Sequence, residues 1–290
     1  MGLRKLQEQK WNHRTPPEKY PQTPGANILF LAPSGQGKTF LMGQLLTQVY
    51  HRVFDRLVVC SPSIDIDSAW WPVKEMAKGF KESWFLSEWD PIKLETILEE
   101  QKARVKRHKD AKSTKPIEQL CVLVDDFADS PHVVHGASGI LVTLFTRGRH
   151  LSTSAWVSSQ KLRALSTVIR YNIRYMCVWR LRSALEQQAL YEELSALFDV
   201  RMLHEMHERA LNDAEHSFWY LNLIAKKRSE ISHIRFDHRM VLDEGLPDPQ
   251  DVRPQPAEQQ LVDPSGLGGS LESVEAQVSI NPRKRRRPGA

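Results

Sequence analysis

A four-residue apolar run, Ile28–Leu31, leads straight into Ala32-Pro33-Ser34-Gly35-Gln36-Gly37-Lys38-Thr39-Phe40, and helix-patterned sequence follows. Few folds accommodate that succession. A run that is apolar at every position and bounded by turn residues is the pattern of a strand buried on both faces. Gly35 and Gly37 allow the backbone to curl so that successive N–H groups face one concave side. The spacing of Ala32, Gly37, Lys38 and Thr39 is that of a phosphate-binding loop. A helix is expected from Lys38 to about residue 50, with Leu41, Leu45 and Leu46 inward, and its positive end faces the same anion. In such a loop Lys38 neutralises the β- and γ-phosphates, and the Thr39 hydroxyl binds Mg2+. Residues 32–40 are therefore the expected nucleotide contacts, with ATP and Mg2+ as ligands.

A second strand, Arg56–Cys60, completes a strand–helix–strand unit, which predicts a parallel sheet with a right-handed crossover. Further on, the pattern predicts a short helix over 67–79, a strand over 83–86 and a helix from Pro91 to about Arg107 with Ile92, Ile97 and Leu98 apolar. A basic loop over 106–115 precedes the strand Leu120–Val124. A helix near 139–147, strands over 155–159 and 175–179, helices near 183–197 and 201–211, and a closing strand pair over 218–225 and 231–236 follow. The three cysteines, Cys60, Cys121 and Cys177, all lie in apolar runs without metal spacing and are expected to be small core residues.

Asp125 and Asp126 come directly after Leu120–Val124. An acid at that strand end, on the same sheet edge as the loop, holds Mg2+ through water. Asp126 is then placed to orient or deprotonate the attacking water. Many P-loop ATPases carry Glu there, and Asp is one methylene shorter. Ser158-Ser159-Gln160 ends the next strand, and an amide at Gln160 can sense the γ-phosphate. A strand between the Lys38 strand and the Asp125 strand marks the additional-strand class of P-loop proteins. The predicted fold is thus α/β, a mostly parallel sheet with helices on both faces. A GTPase base-recognition motif is missing.

Charge is uneven. Residues 283–287 are all basic and account for the whole net excess of +5. Between 241 and 280 there are eight acids and one base, with frequent Pro and Gly, as in a disordered acidic linker. The chain divides accordingly into an extended basic arm (1–24), an ATPase domain (25–240) and that tail (241–290). Residues 145–182 hold Arg147, Arg149, Lys161, Arg163, Arg170, Arg174, Arg180 and Arg182 without one acid, and residues 102–115 are similarly basic. Such stretches suit contact with nucleic-acid phosphates, or an arginine finger on a neighbour's ATP. Arg147 and Arg149 are the candidate fingers, because they follow the acid pair closely on an outgoing helix. The cluster at 283–287 fits either a nuclear localisation signal or a nonspecific nucleic-acid patch. No apolar run approaches the roughly 18 residues that span a bilayer, so no membrane partner is expected.

Together, residues 32–39, Cys60-Ser61-Pro62-Ser63 with Asp67 and Trp70, Val124-Asp125-Asp126, Arg147-Gly148-Arg149-His150 and Ser158-Ser159-Gln160 resemble the DNA-packaging ATPases of poxviruses and other large double-stranded DNA viruses. These belong to the FtsK–HerA superfamily, with similar ATPases in virophages and Polinton-type transposons. The closing pattern at 219–224 and 231–237 is also similar, so the likeness covers about residues 25–240. It implies a homo-oligomeric ring that hydrolyses ATP to drive double-stranded DNA into a capsid, with arginine supplied in trans. It also implies capsid proteins as partners and a place in the virion or in the host nucleus or cytoplasm. Two rival functions fit the same residues: a non-motor ATP-binding oligomerisation module, and a helicase or other nucleic-acid ATPase.

Overall fold

The computed structural model describes residues 11–127 and 139–240. The first ten residues, the acidic linker and the basic cluster at 283–287 lie outside them. Strands β1 (Ile28–Leu31), β2 (Arg56–Cys60), β3 (Glu82–Leu86), β4 (Leu120–Val124), β5 (Thr153–Ser159) and β6 (Tyr175–Val178) are parallel, and β7 (Trp219–Asn222), β8 (Ser232–Ile234) and β9 (His238–Arg239) are antiparallel. They form one sheet in the order β3-β2-β4-β5-β1-β6-β7-β8-β9. Although β1 and β2 are joined by one helix, they are not neighbours. Both β5 and β4 stand between them, and β5 is the strand inserted between the loop strand and the acid strand.

Alternation along each strand builds two cores, one per face. Leu29, Leu31, Val122, Val124, Ala155, Val157, Met176 and Val178 face one side, beneath helices α3 (Pro91–Asp110), α4 (Ile140–Arg147), α6 (Ala184–Leu194) and α7 (Val200–Leu211), numbered with α5 (Thr167–Tyr171) between. Ile28, Phe30, Cys121, Leu123, Trp156 and Cys177 face the other, beneath α1 (Lys38–Gln44) and α2 (Trp71–Ala77). Helix starts are set chemically. Asp90 accepts from Lys93 N with Pro91 at the first position, Ser166 from Ile169 N, and Asp199 from Met202 N. No helix among the described residues is long and apolar enough to cross a membrane. The three cysteines are buried and free, and burial pushes the Cys60 thiol up to about 12.

Several local expectations needed correction. The helix after the loop is α-helical only to Gln44 and closes with a π turn, Leu45–Val49. Tyr50 explains it. Its hydroxyl donates to Pro21 O at 2.6 Å and its ring stacks on Phe54 against Trp156, and the wider turn delivers it there. Met42 fills an inward place while Leu41 is only half buried. Helix α3 continues to Asp110, taking in part of the expected basic loop, because Arg104 pairs with Glu82 and Glu118 and basic residues suit a helix C-terminus. Ile92 on its first turn faces solvent. The short α5 and the two-residue β9 had no visible pattern.

Residues 11–24 carry no helix or strand, yet they are seated on the body. Arg14 pairs with Asp55, Thr23 Oγ1 donates to Arg14 O at 2.7 Å, and Gln22 N donates to the Tyr175 hydroxyl at 3.0 Å. At the base of β2, Arg56 is fully buried. It donates to Glu82 (2.6 Å), Gln101 (3.0 Å) and Glu100 (3.0 Å), with Trp84 5.1 Å away. Arg56→Ala removes buried volume and orphans Gln101 Oε1. It is expected to cost on the order of 3 kcal/mol, or about 6–12 °C in Tm by circular dichroism. Glu100→Ala, on a half-exposed partner, should cost under about 1 kcal/mol. Equal losses would contradict the burial argument.

Candidate nucleotide-binding site

Register brings the site residues to one edge. Leu31 is level with Ser159 and Val124 with Val157. The loop therefore leaves β1 beside Gln160, and Asp125 leaves β4 beside Ser158. Ala32 N donates to Ser159 O at 3.1 Å, which ties the loop's first residue to β5. Gly35 and Gly37 take φ of 76° and 93°, the left-handed region glycine favours. Lys38 is buried, and its Nζ donates to Ala32 O at 2.7 Å and Pro33 O at 3.0 Å. Thr39 opens α1 with its hydroxyl turned to β4. Phe40, next in line, is 64% exposed.

Asp125 is 1% exposed and sits in a ring of hydroxyls. Ser158 Oγ donates to its Oδ1 at 2.5 Å, and Thr39 Oγ1 and Ser61 Oγ donate to Oδ2 at 3.2 and 3.5 Å. Burial drives its pKa up to about 6, and the Asp126 charge adds to the rise, while the Ser158 and Thr39 hydroxyls and Lys38 pull it back. Asp126 differs in every respect. It is exposed, has φ of 55°, and its N–H donates to Ser158 Oγ at 3.1 Å. One serine thus accepts from the second acid's backbone and donates to the first acid's carboxylate. The Asp126 carboxylate has no hydrogen-bond partner among the described residues. Gln160 is half buried at the end of β5, between loop and acids.

The oxygen donors Thr39 Oγ1 and Asp125 Oδ2 suit Mg2+, which keeps several waters and shares phosphate oxygens. No group of three or more His, Cys, Asp or Glu among the described residues could hold a metal alone. Such an ion would be held jointly with a nucleotide.

Arg147 and Arg149 are not brought to this edge. Both are exposed, and neither has an ion pair among the described residues. A Cβ built on Gly25 would meet Arg149 Cβ at 2.8 Å, which places Arg149 before β1. The phosphate loop comes after β1, roughly 13 Å further on for a four-residue strand. The remainder of the basic run is less bare than its sequence implies. Arg163, Arg170 and Arg180 pair with Glu192, Glu193 and Glu208 of α6 and α7, and Arg174 donates to Gly25 O at 2.9 Å.

Two contributors had escaped sequence reading. Ser158 was visible only as part of a strand end, although two serines closing a buried strand beside an acid strand are a usable signal. Ser61 was seen in its motif without a role.

Strand, glycine loop and helix, with an acid on a strand one place removed from the loop strand, define a P-loop NTPase of the additional-strand class. Residues 23–199 match the family described as Poxvirus A32 protein, and the chain belongs to that family. No curated protein sequence matches. Among solved structures, the genome packaging NTPase B204 from Sulfolobus turreted icosahedral virus 2, in complex with AMP, is similar with a TM-score of 0.51 at 11% identity. The match covers 76% of this chain and 100% of that one. EssC (ATPases 2 and 3) from Geobacillus thermodenitrificans gives a TM-score of 0.50 at 13% identity, covering 68% of this chain and 37% of that chain. This chain therefore spans little more than a third of the EssC chain. At these identities the likeness establishes the fold.

Proposed function

We propose that this chain is an ATP-hydrolysing motor that translocates double-stranded DNA in viral genome packaging and works as a homo-oligomeric ring. The observation that carries it is the 3.2 Å contact between Thr39 Oγ1 and Asp125 Oδ2, which joins loop and acid strand across the inserted β5. Lys38 holds the β- and γ-phosphates, and Thr39 and Asp125 hold Mg2+, which when bound neutralises charge on the β- and γ-oxygens. Asp126, exposed and unpartnered, orients the water and accepts its proton. Gln160 contacts the γ-phosphate. Arg147 or Arg149, at the far edge, reaches the ATP of a neighbouring subunit. DNA is held by backbone phosphates, and capsid proteins are the docking partners in the virion or host cell.

ATPase rate against added double-stranded DNA tests the motor. Wild type should be stimulated, and no stimulation would favour a non-motor ATP-binding module. Asp126→Asn keeps the left-handed backbone, which Asn tolerates, and should lose about 10²–10⁴ in turnover. Unchanged turnover would remove Asp126 from its role.

A further inference from the structure

The phosphate loop has two flanks. On the β5–β4 side stand Gln160, Asp125 and Asp126, the groups suited to the γ-phosphate end. On the β6 side stands His216, in the connection between α7 and β7. A Cβ built on Gly37 would lie 4.0 Å from His216 Nδ1. The other ring nitrogen, Nε2, lies 3.7 Å from the Glu215 carboxylate, so Nδ1 is the edge turned to the loop. The ring is 62% exposed and no core packing accounts for its position.

Backbone hydrogen bonds hold that position. His216 takes φ of 57°, in the left-handed region, which histidine adopts more readily than most non-glycine residues. Its carbonyl accepts from Trp179 Nε1 at 3.2 Å, and Trp179 N donates to Leu31 O at 3.0 Å, on the last residue before the loop. Before it, Arg235 pairs with Asp213 at 2.5 Å and Ser217 N closes a turn on Ala214 O at 3.1 Å.

We propose that His216 is a further nucleotide-binding residue, contacting the nucleoside end of the bound nucleotide. The inference rests on the nucleotide site proposed above. A nucleotide whose γ-phosphate meets Asp125 and Asp126 on one flank extends its ribose and base toward the other, where the imidazole offers a hydrogen-bonding edge and a stacking face.

His216→Ala is tested by equilibrium binding of ADP, ATP and inorganic tripolyphosphate to the full chain. The variant should bind ADP and ATP about three- to tenfold more weakly, the scale of one hydrogen bond or ring contact. Its tripolyphosphate affinity should match wild type, and kcat at saturating ATP should stay within about twofold. His216→Gly should weaken ADP binding in the same way with Tm near wild type, since glycine adopts the left-handed backbone freely. That separates a lost contact from a damaged fold. Unchanged ADP affinity in both variants would overturn the assignment, as would an equal loss for tripolyphosphate. Failure of wild type to bind ADP would instead refute the nucleotide site itself.

Discussion

Replacing both Arg147 and Arg149 with alanine is expected to lower the ATPase rate about 10³-fold or more while nucleotide affinity stays near wild type. The magnitude is that of arginine fingers in other NTPases. Arg149 packs on Gly25 before β1, at the end opposite the phosphate loop, so a neighbouring subunit's ATP is the expected target. Stability should hardly change, since both side chains are exposed without ion pairs among the described residues. Each single variant, made separately, identifies the finger. Mixing the inactive arginine variant with Lys38→Ala subunits should restore part of the activity, because one kind supplies the loop and the other the arginine. No recovery in any mixture would end the trans assignment.

Asp125→Asn should make the nucleotide-free protein more stable at pH 7.5 and nearly abolish its turnover. Burial raises the Asp125 pKa from 3.8 to about 6. The folded state therefore holds a proton that the unfolded chain has released, and stability falls as pH rises from about 4 through 6. The shift of about two units corresponds to an upper bound of about 3 kcal/mol. Asparagine removes that cost and can still accept from Ser158. A gain of about 2 kcal/mol would appear as roughly 4–8 °C in Tm. The substitution also removes the carboxylate proposed to hold Mg2+, which should cost more than about 100-fold in Mg2+-dependent rate. His207 supplies a contrast of opposite sign. It is fully buried, stacked on Trp219, and burial lowers its pKa to about 4. Its contribution is lost as pH falls from 6.5 through 4. In wild type the Asp125 slope opposes the His207 slope and offsets part of it across that window. In Asp125→Asn the opposing slope is gone, and Tm should drop more steeply on acidification than in wild type. Parallel Tm profiles for the two proteins would refute the buried-acid account.

Strands were the most legible part of the fold. β1, β2 and β4 are apolar at nearly every position because helices cover both faces, and their ends fall where the apolar runs end. Short elements left no pattern: five residues of α5 and two of β9 are too few for a period to register. The loop residues were legible because their chemistry is local. Ser158 was not, because its function depends on being level with Asp125, and register across two strands is invisible in one chain. The arginine run misled for the same reason. Glu192, Glu193 and Glu208, which answer Arg163, Arg170 and Arg180, come from helices later in the sequence. The π turn after Gln44 likewise answers to Tyr50 and its distant partner Pro21.

The placement of loop and arginines at opposite ends of β1 has an arithmetic consequence. With catalysis completed between subunits, a lone chain owns half of a site at each end and no whole one. A head-to-tail row has one complete site fewer than its subunits, and closing the row into a ring supplies the last. Total turnover should then fall faster than protein concentration on dilution, so that specific activity counts the joined edges.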